Sequence, residues 1–362
     1  MQLDGDAPLP SVWALLGYKA GDNTQVRSLA TALQWPWESR QLRYRSTELL
    51  TNLLLAPNLY GIDTAGSDQL EPPWPDLVIS SGRRNEPVAR WIREASGGRT
   101  RLVHVGRPWA QPEHFDLVLT TPQYRVPPAD NVMEIPLPLH GLTLAKLEQA
   151  AAEWKPQFAS LPSPRIVVLA GGNSGTFLMS VDRIRQVRAA VDALARETGG
   201  SLLVTDSART PARAGDELFR DLELPHHTFR WGRDTGPNPY LGYLALGDRF
   251  VVTGDSVSMV AEACATGKAV YLVHPGRHPL PLPGAPEPAA DWTRLDWYRW
   301  RPLSHRLAQR IGPVRMRRDV PGLLQSLVDR GRASWLGGPE PTSPIAGSPD
   351  LARVVARIKG LF

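Results

Sequence analysis

Residues 251–270 read VVTGDSVSMVAEACATGKAV. This order is an apolar strand that ends at Thr253, a turn of small polar residues, a short helix that begins near Ser256 and a second apolar strand from Ala269. A strand, a helix and a strand within so short a stretch predict two parallel strands of one sheet, joined by a helix that covers a face of that sheet. The stretch therefore places the chain in the α/β class.

The same alternation recurs along the whole chain. Apolar runs rich in β-branched residues predict strands at Val12–Gly17, Asp76–Ser80, Arg101–Val105, Phe115–Thr120, Val132–Ile135, Arg165–Ala170, Ser201–Thr205, Phe250–Thr253 and Ala269–Val273. The segments between them predict helices at Thr24–Leu33, Glu86–Ala95, Thr143–Glu153, Val181–Glu197, Pro211–Phe219, Tyr240–Leu246 and Ser258–Ala265. The pattern starts again after Trp154–Pro164, which holds three prolines and no strand pattern. We expect two Rossmann-like domains, residues 1–154 and 165–330, facing each other across a cleft, and a tail at 331–362.

Composition agrees with this organisation and excludes several classes of protein. The 362 residues are enough for about two domains, and the 42% hydrophobic and 21% charged residues exclude a disordered or fibrous chain. The single cysteine, Cys264, excludes an internal disulfide and a cysteine-based zinc site. No apolar run reaches the length of a membrane span, and the first residues lack the basic start of a signal peptide. We expect a cytoplasmic protein.

The net charge of +5 is unevenly distributed. Residues 1–150 hold 14 basic and 16 acidic residues, whereas the remainder holds 27 basic and 20 acidic residues. This excess in the second half is compatible with a ligand that bears phosphate and equally with a solvated basic surface. No basic run interleaved with aromatic residues is present, so we expect no nucleic-acid partner.

Ligands of open parallel sheets bind beyond the carboxyl ends of the strands, so the loops at these ends are the candidate sites. In the second half, the turn Gly171-Gly172-Asn173-Ser174 lets a backbone approach phosphate, but its spacing departs from G-x-G-x-x-G and does not predict a dinucleotide site. Another loop starts a helix at Thr210 and places Ser207 and Arg209 where an anion would bind.

The turn and helix after Thr253 are the most specific of these loops. Helical spacing places Ser258 and Glu262 on one face. A carboxylate at position 262 could therefore accept hydrogen bonds from both hydroxyls of a ribose, while Ser256 and Ser258 bind a pyrophosphate. The alternative is a structural glutamate on an amphipathic helix. The predicted nucleotide-binding residues are Gly171, Gly172, Asn173, Ser174, Ser207, Arg209, Thr210, Asp255, Ser256, Ser258, Met259 and Glu262.

Two loops of the first half are further candidate ligand-binding sites. After the first predicted strand, Asp22 is a candidate general base; the alternative is an ordinary turn in which Asp22 and Asn23 cap a helix. After Asp76–Ser80, two arginines at a helix entry could bind an anion, or form a surface salt bridge with Glu86. The residues predicted to bind this anion, or a second substrate that carries one, are Lys19, Asn23, Gln25, Arg83 and Arg84.

Five stretches that follow one another along nearly the whole chain carry a family resemblance. They are PDLVISSGRR at 75–84, GGNS at 171–174, SARTP at 207–211, NPY at 238–240 and VVTGDSVSM at 251–259. With them the chain resembles the mitochondrial-fission family, which includes the plant elongated-mitochondria protein and bacterial relatives labelled as glycosyltransferases. The resemblance implies a GT-B-like fold with a nucleotide-sugar donor in the C-terminal domain. It also implies that Ser348–Leu361 is a helix that crosses back to the N-terminal domain.

The turn, helix and glutamate after Thr253 also resemble the peptidoglycan lipid-linked N-acetylglucosaminyl transferase, which implies that Glu262 binds the ribose. In the first loop, Ala20-Gly21-Asp22-Asn23 stands where Pro-Gly-His-Asn is expected in relatives. Retaining enzymes of this fold often carry Glu-x7-Glu, but the residue eight before Glu262 is Gly254, which favours inversion with Asp22 as the base.

We expect no metal and no cofactor beyond the nucleotide sugar. The only D-x-D motif, Asp4-Gly5-Asp6, precedes the first strand, so helix N-termini and Arg209 would stabilise the leaving diphosphate instead. The histidine pairs His226-His227 and His274/His278 lie around turns and a proline, and we interpret them as not binding metal.

An acceptor linked to lipid would require contact with a membrane. Trp35-Pro36-Trp37, Arg40, Arg43, Arg45 and Leu49–Leu55 could form a surface that rests on the inner face of a bacterial inner membrane; the alternative is core packing plus a loop. The expected function is an inverting, metal-independent glycosyltransferase acting on a cell-envelope glycan or a lipid-linked acceptor. The alternatives are a non-catalytic interaction protein that retains the fold and a nucleotide-sugar epimerase.

Overall fold

A computed structural model describes residues 8–45, 56–174, 177–274, 318–347 and 349–362. Contacts divide the chain into two compact units. The first unit comprises Met1–Gly141 together with Ser348–Phe362, and the second comprises Leu142–Gly347. Each unit contains a parallel sheet with helices, which confirms the α/β class predicted from the alternating pattern.

The first unit is built on a six-stranded parallel sheet in the order β2-β1-β3-β4-β5-β6. Its strands are β1 Val12–Leu16, β2 Trp37–Gln41, β3 Leu77–Ser81, β4 Arg101–Val105, β5 Leu117–Thr120 and β6 Val132–Glu134. Its helices are α1 Ala20–Leu33 and α2 Gly82–Ala95, with short 3-10 turns at Pro112–His114 and Pro122–Tyr124. Strands β1 and β3 are buried along their whole length, as expected for parallel strands that helices cover on both faces.

The chain returns to the first unit at its C-terminal end. The predicted helix Ser348–Leu361 is observed as Pro349–Lys359, here called α9. Its side chains Val354 and Ile358 are fully buried in the core under the first sheet, and the guanidinium of Arg357 donates a hydrogen bond of 2.8 Å to the carbonyl of Asp130. The prediction of a helix that crosses back is therefore confirmed.

The second unit repeats the architecture with a six-stranded parallel sheet in the order β12-β11-β10-β7-β8-β9. Its strands are β7 Arg165–Leu169, β8 Ser201–Thr205, β9 His226–Phe229, β10 Arg249–Thr253, β11 Ala269–Val273 and β12 Ser334–Trp335. Its helices are α3 Leu144–Trp154, α4 Val181–Thr198, α5 Ala212–Phe219, α6 Tyr240–Leu246, α7 Val257–Ala265 and α8 Val320–Asp329. The central strands β7 and β10 pair in register from Ile166 opposite Arg249 to Leu169 opposite Val252.

Helix α3 lies in the second unit, although the sequence places it at the end of the first domain. Trp154 at its end stacks on Phe158 with ring centroids 5.6 Å apart. Phe158 is fully buried and in turn contacts His227 and Tyr243. The proline-containing segment after α3 is therefore packed into the second unit, because its aromatic side chain completes a core there.

The contact between α3 and α6 depends on the absence of a side chain at Gly242. A Cβ at this position would overlap the indole of Trp154, so Gly242→Ala is expected to lower the free energy of unfolding by about 1–3 kcal/mol. Gly236→Ala is the matched control, because no atom lies within 4 Å of the added Cβ. Urea unfolding of both variants measures the difference, and equal stabilities would contradict the proposed packing constraint.

The elements that the sequence analysis missed lie mostly at sheet edges. Strand β2 has the sequence WESRQ and is largely exposed, so it carries no apolar run, and its pairing with β1 decides its conformation. Strands β9 and β12 are likewise terminal strands of the second sheet. Helix α8 was also not predicted, although Val320, Leu323 and Leu327 bury one face of it.

Candidate functional site

In the second unit, a glycine turn follows β7 at the carboxyl end of the sheet. The N–H of Gly171 donates to the hydroxyl of Thr253 at 2.7 Å, and the N–H of Gly172 donates to the carboxylate of Asp255 at 2.8 Å. Both amides are therefore occupied by side chains from the end of β10. The turn is fixed in place before any ligand arrives.

Close packing explains why glycine is required at both positions. A Cβ on Gly171 would overlap the carboxylate of Asp255, and a Cβ on Gly172 would overlap the carbonyl of Arg209. The loop after β8 approaches from the other side, where the hydroxyls of Ser207 and Thr210 both donate to the carbonyl of Gly171. The predicted residues from three separate loops are thus brought together.

Asp255 lies beneath the turn. Its side chain is only 2% exposed, and its Oδ2 is 3.3 Å from Nη2 of Arg209, whose side chain is 42% exposed. Burial raises the pKa of Asp255, whereas the Gly172 amide and Arg209 oppose that shift. Asp255 was predicted to bind nucleotide, but its contacts are those of a residue that positions the glycine turn and Arg209.

The hydrogen bonds of Asn173 also support the loop. Its amide oxygen accepts from the N–H of Met179 at 2.9 Å, while its own N–H donates to the carbonyl of Arg209 at 3.0 Å. The guanidinium of Arg209 reaches back to the carbonyl of Asn173 at 3.4 Å. Ser174 forms two backbone hydrogen bonds with Phe177 and closes the turn.

Helix α7 begins directly beyond β10 and points its N-terminus to the same edge of the sheet. The first N–H groups of a helix have no acceptor within the helix, and the Ser256 side chain does not cap them. Ser256 is buried, Met259 is half-buried and Ser258 is exposed. The arrangement offers backbone amides and one exposed hydroxyl to an anion.

Glu262 lies one helical turn after Ser258 on α7. Its Oε2 accepts a hydrogen bond of 2.5 Å from the phenol of Tyr240 at the start of α6. Burial raises the pKa of Glu262, and the Tyr240 hydroxyl opposes this shift. Tyr240 was not predicted as a site residue, and its position in the NPY stretch of the family resemblance is the only signal that singled it out.

In the first unit, a pocket lies where β1 and β3 run into helices α1 and α2. It is lined by Gly17, Tyr18, Lys19, Asp22, Asn23, Tyr44, Ser81, Gly82, Arg83, Arg84 and Asn85. Five of the predicted residues, three cationic side chains among them, therefore lie together. Gln25 is not among the lining residues and is half-buried on α1. Tyr18 and Tyr44 were not predicted, although Tyr18 is adjacent to the predicted Lys19.

The interpretation of Asp22 and Asn23 as helix caps is wrong, because α1 begins at Ala20 and both residues lie in its first turn. Asn23 instead binds Gly17 through both ends of its amide, accepting from the N–H at 2.9 Å and donating to the carbonyl at 2.8 Å. Asp22 remains 30% exposed, with its Oδ2 at 3.9 Å from Nζ of Lys19. Asn23 therefore positions the loop, whereas Asp22 remains accessible.

The two arginines of α2 stack on aromatic rings. The guanidinium of Arg84 lies 5.0 Å from the ring centroid of Tyr18, and that of Arg83 lies 5.7 Å from the ring of Trp109. Glu86, considered above as a surface partner of these arginines, is buried and accepts from the backbone amides of Trp109 and Ala110 at 2.6 and 2.7 Å. Its carboxylate therefore anchors the loop after β4.

The surface predicted to rest on a membrane is partly internal. Trp35 is 9% exposed and contacts Phe362 in a T-shaped arrangement, and the guanidinium of Arg40 lies over the ring of Trp13. Trp35 and Arg40 therefore have packing roles within the first unit. Of the other residues predicted for this surface, Trp37, Arg43 and Arg45 are exposed. Leu49–Leu55 lies outside the described residues. Within the described ranges, no helix is both long and apolar enough to cross a membrane.

The histidines of the second unit have structural contacts. Nδ1 of His227 lies 2.7 Å from the hydroxyl of Tyr243, and Nδ1 of His226 lies 2.7 Å from the carbonyl of Leu224. A search of the described residues finds no group of three or more His, Cys, Asp or Glu side chains that could hold a metal ion. His278 and the Asp4-Gly5-Asp6 motif lie outside the described residues.

Comparisons with known proteins place these features in context. Residues 20–280 match the family model described as mitochondrial fission ELM1. The mitochondrial fission protein ELM1 of Arabidopsis thaliana is 33% identical over 243 residues, which are 61% of this chain and 56% of that protein. The chain thus matches little more than half the length of this relative. An uncharacterized protein of Rickettsia prowazekii, RP120, is 23% identical over 300 residues, 73% of this chain and 83% of that one.

Among solved structures, the UDP-GlcNAc 2-epimerase of Methanocaldococcus jannaschii superimposes with a TM-score of 0.51 and 11% sequence identity. The match covers 97% of this chain and 99% of the epimerase. Identity this low relates the folds alone. The α/β fold with two parallel sheets is the GT-B-like fold that the resemblance implied.

Proposed function

We propose, on the premise that this chain belongs to the mitochondrial fission ELM1 family, that it is an inverting, metal-independent glycosyltransferase whose second unit binds the nucleoside diphosphate of a sugar donor. One observation carries the proposal. A braced glycine turn, the half-exposed Arg209 and the uncapped N-terminus of α7 meet at one sheet edge, with the carboxylate of Glu262 one turn further along the helix.

In this proposal the diphosphate lies at the N-terminus of α7. Backbone amides and the exposed Ser258 hydroxyl would donate to its oxygens, and the guanidinium of Arg209 would neutralise charge that develops on the leaving diphosphate. Thr253 and Asp255 occupy the amides of Gly171 and Gly172, so these glycines act by allowing close approach of loops. The donor site therefore combines groups that contact the ligand with others that hold them in place.

Glu262 is the proposed ribose ligand. Its Oε2 is oriented by the hydroxyl of Tyr240 at 2.5 Å, and among the described residues no donor reaches its Oε1. An ionised carboxylate accepts hydrogen bonds more strongly than a neutral acid, and the 2- and 3-hydroxyls of a ribose are paired donors of suitable spacing. Because the Tyr240 hydroxyl opposes the rise in the pKa of Glu262, it favours this ionised form.

The pocket of the first unit is the proposed acceptor site. Lys19, Arg83 and Arg84 supply positive charge for an anionic group of the acceptor, and the partly exposed Asp22 is the proposed base that takes the proton of the attacking hydroxyl. The absence of a glutamate at position 254 supports inversion, since no second carboxylate of the Glu-x7-Glu type is available. A lipid-linked or cell-envelope acceptor at the cytoplasmic face of a membrane remains part of the proposal.

Two alternatives compete with transfer. The Arabidopsis relative is named for mitochondrial fission, which favours an interaction protein that retains the fold. The fold match to a UDP-GlcNAc 2-epimerase makes epimerisation of the donor sugar the second alternative. An epimerase would convert the sugar with no acceptor present, whereas a transferase alone with its donor would at most hydrolyse it slowly.

Calorimetric titration tests the donor site. Wild type is titrated with a panel of nucleoside diphosphates and their sugars, and we expect one nucleotide to bind with micromolar affinity. Loss of a charged hydrogen bond in Glu262→Ala is expected to weaken this binding by about 1–3 kcal/mol.

Glu223→Ala is the matched control, because its 80% exposed carboxylate forms only a surface ion pair with Arg196. Its affinity should equal that of wild type. Absence of binding by every nucleotide would overturn the donor proposal and favour the interaction protein, whereas equal affinities of Glu262→Ala and wild type would remove Glu262 from the site.

A further inference from the structure

We propose that the indole of Trp231 is the surface on which the base of the bound nucleoside diphosphate stacks, an inference that rests on the proposed donor site of the second unit. Trp231 follows strand β9 by two residues, so it lies at the same carboxyl edge of the sheet as the glycine turn after β7. It was not singled out by any motif in the sequence.

The exposure of this side chain requires an explanation. Trp231 is 51% exposed, although indole rings are among the side chains whose burial stabilises a fold most. Within the described part of the second unit, the other large hydrophobic side chains that are exposed are the aliphatic Leu144, Leu241 and Ile345. A half-exposed aromatic ring at a ligand-binding edge is typical of a stacking surface.

Hydrogen bonds fix the backbone of Trp231 relative to the proposed phosphate site. The backbone N–H of Trp231 donates to Oδ1 of Asp206 at 2.6 Å. Asp206 directly precedes the loop in which Ser207 and Thr210 bind the carbonyl of Gly171. A short chain of hydrogen bonds thus joins the backbone of Trp231 to the glycine turn.

The turn that carries Trp231 is preformed. The N–H of Arg230 donates to Asp234 at 2.8 Å, and the amides of Arg233 and Asp234 close the turn onto the carbonyl of Arg230. The guanidinium of Arg230 binds Asp216 on α5 and lies 5.1 Å from the ring of Phe219. The backbone of such a braced turn loses little conformational freedom when a ligand stacks on the ring that it carries.

The spacing of the sheet suits a nucleoside diphosphate. Strand β8 lies between β7 and β9, so the two strand ends are separated by two strand spacings, about 10 Å. A diphosphate near Arg209, with its ribose on Glu262, would therefore direct its base towards the end of β9 and Trp231. Because every base has a π face, stacking adds affinity without selecting one base strongly.

The test compares two probes on the full chain. Wild type, Trp231→Ala and Trp231→Phe are titrated with nucleoside diphosphates and with inorganic pyrophosphate. Trp231→Ala is expected to lose about 5- to 150-fold in affinity for the nucleoside diphosphate, the range measured for removal of one stacked aromatic ring, and to keep its affinity for pyrophosphate. Trp231→Phe retains a ring and should lose less.

Leu144→Ala is the control, because it removes a 73% exposed apolar side chain from the same unit. If wild type binds no nucleoside diphosphate, the donor proposal fails and this inference fails with it. If wild type binds and Trp231→Ala binds equally well, the inference alone is overturned. An equal loss of pyrophosphate affinity in Trp231→Ala would also overturn it, because the side chain would then be supporting the loop rather than the base.

Discussion

A Gly172→Ala variant is expected to bind the nucleoside diphosphate about 5- to 150-fold more weakly than wild type. The added Cβ would overlap the carbonyl of Arg209, and a backbone atom cannot turn aside as a flexible side chain would. Overpacking of this kind costs about 1–3 kcal/mol. Relief of the overlap would separate the turn from the loop that positions Arg209, so the cost should appear in ligand affinity measured by calorimetry.

Gly236→Ala serves again as the control, since it adds the same atom in open space and its glycine has no positive φ. Circular dichroism of both variants establishes that the sheets still form. Wild-type affinity in Gly172→Ala would contradict the assignment of the glycine turn to the donor site. If Gly236→Ala loses as much affinity as Gly172→Ala, the loss is not caused by the overlap at position 172.

Acidification from pH 7 to pH 5 is expected to lower the free energy of unfolding by about 2 kcal/mol through His104 alone. Its ring is fully buried, 3.0 Å from the hydroxyl of Ser80 and packed on Phe115. Burial lowers the pKa of His104 to about 3. Below pH 6.5, His104 therefore binds a proton in the unfolded chain but stays neutral in the folded protein. The free energy of unfolding falls as the pH decreases towards 3.

Urea unfolding at pH 7, 6 and 5 measures this dependence on wild type and His104→Gln. The raised pKa of the buried Asp255 acts in the opposite sense and stabilises the fold as pH falls. Because Asp255 is present in both proteins, the difference between the two slopes isolates His104. The glutamine variant should be less stable at pH 7 but lose about 1.4 kcal/mol less per pH unit below 6. Parallel slopes would show that the folded protein does not lower the pKa of His104.

The strands that carry the core were predictable because each one is an apolar run. Strands buried on both faces, such as Leu77–Ser81 and Arg249–Thr253, leave a pattern that sequence alone displays. Edge strands such as Trp37–Gln41 face solvent and lack that pattern, so their existence depends on the strand beside them. The same reason explains why β9, which leads to Trp231, was missed.

In the candidate site, loop positions were predictable but the direction of each side chain was not. The sequence analysis placed Gly172, Arg209 and Asp255 near one another, because the carboxyl ends of parallel strands share an edge. It could not show that Asp255 turns inward to bind Gly172, nor that Tyr240 reaches Glu262 from another helix. These contacts join residues 83 and 22 positions apart.

By itself, the amino-acid sequence determined the α/β class, the two repeats of strand and helix, the loops that are proposed to bind a ligand and the family. These follow from local periodicity and from short motifs. Only the tertiary structure decided that α3 joins the second unit, that Asn23 and Asp255 support loops and that Trp231 is displayed at the sheet edge. The physical reason is that burial and hydrogen-bond partners are set by residues distant in the chain, which no local pattern encodes.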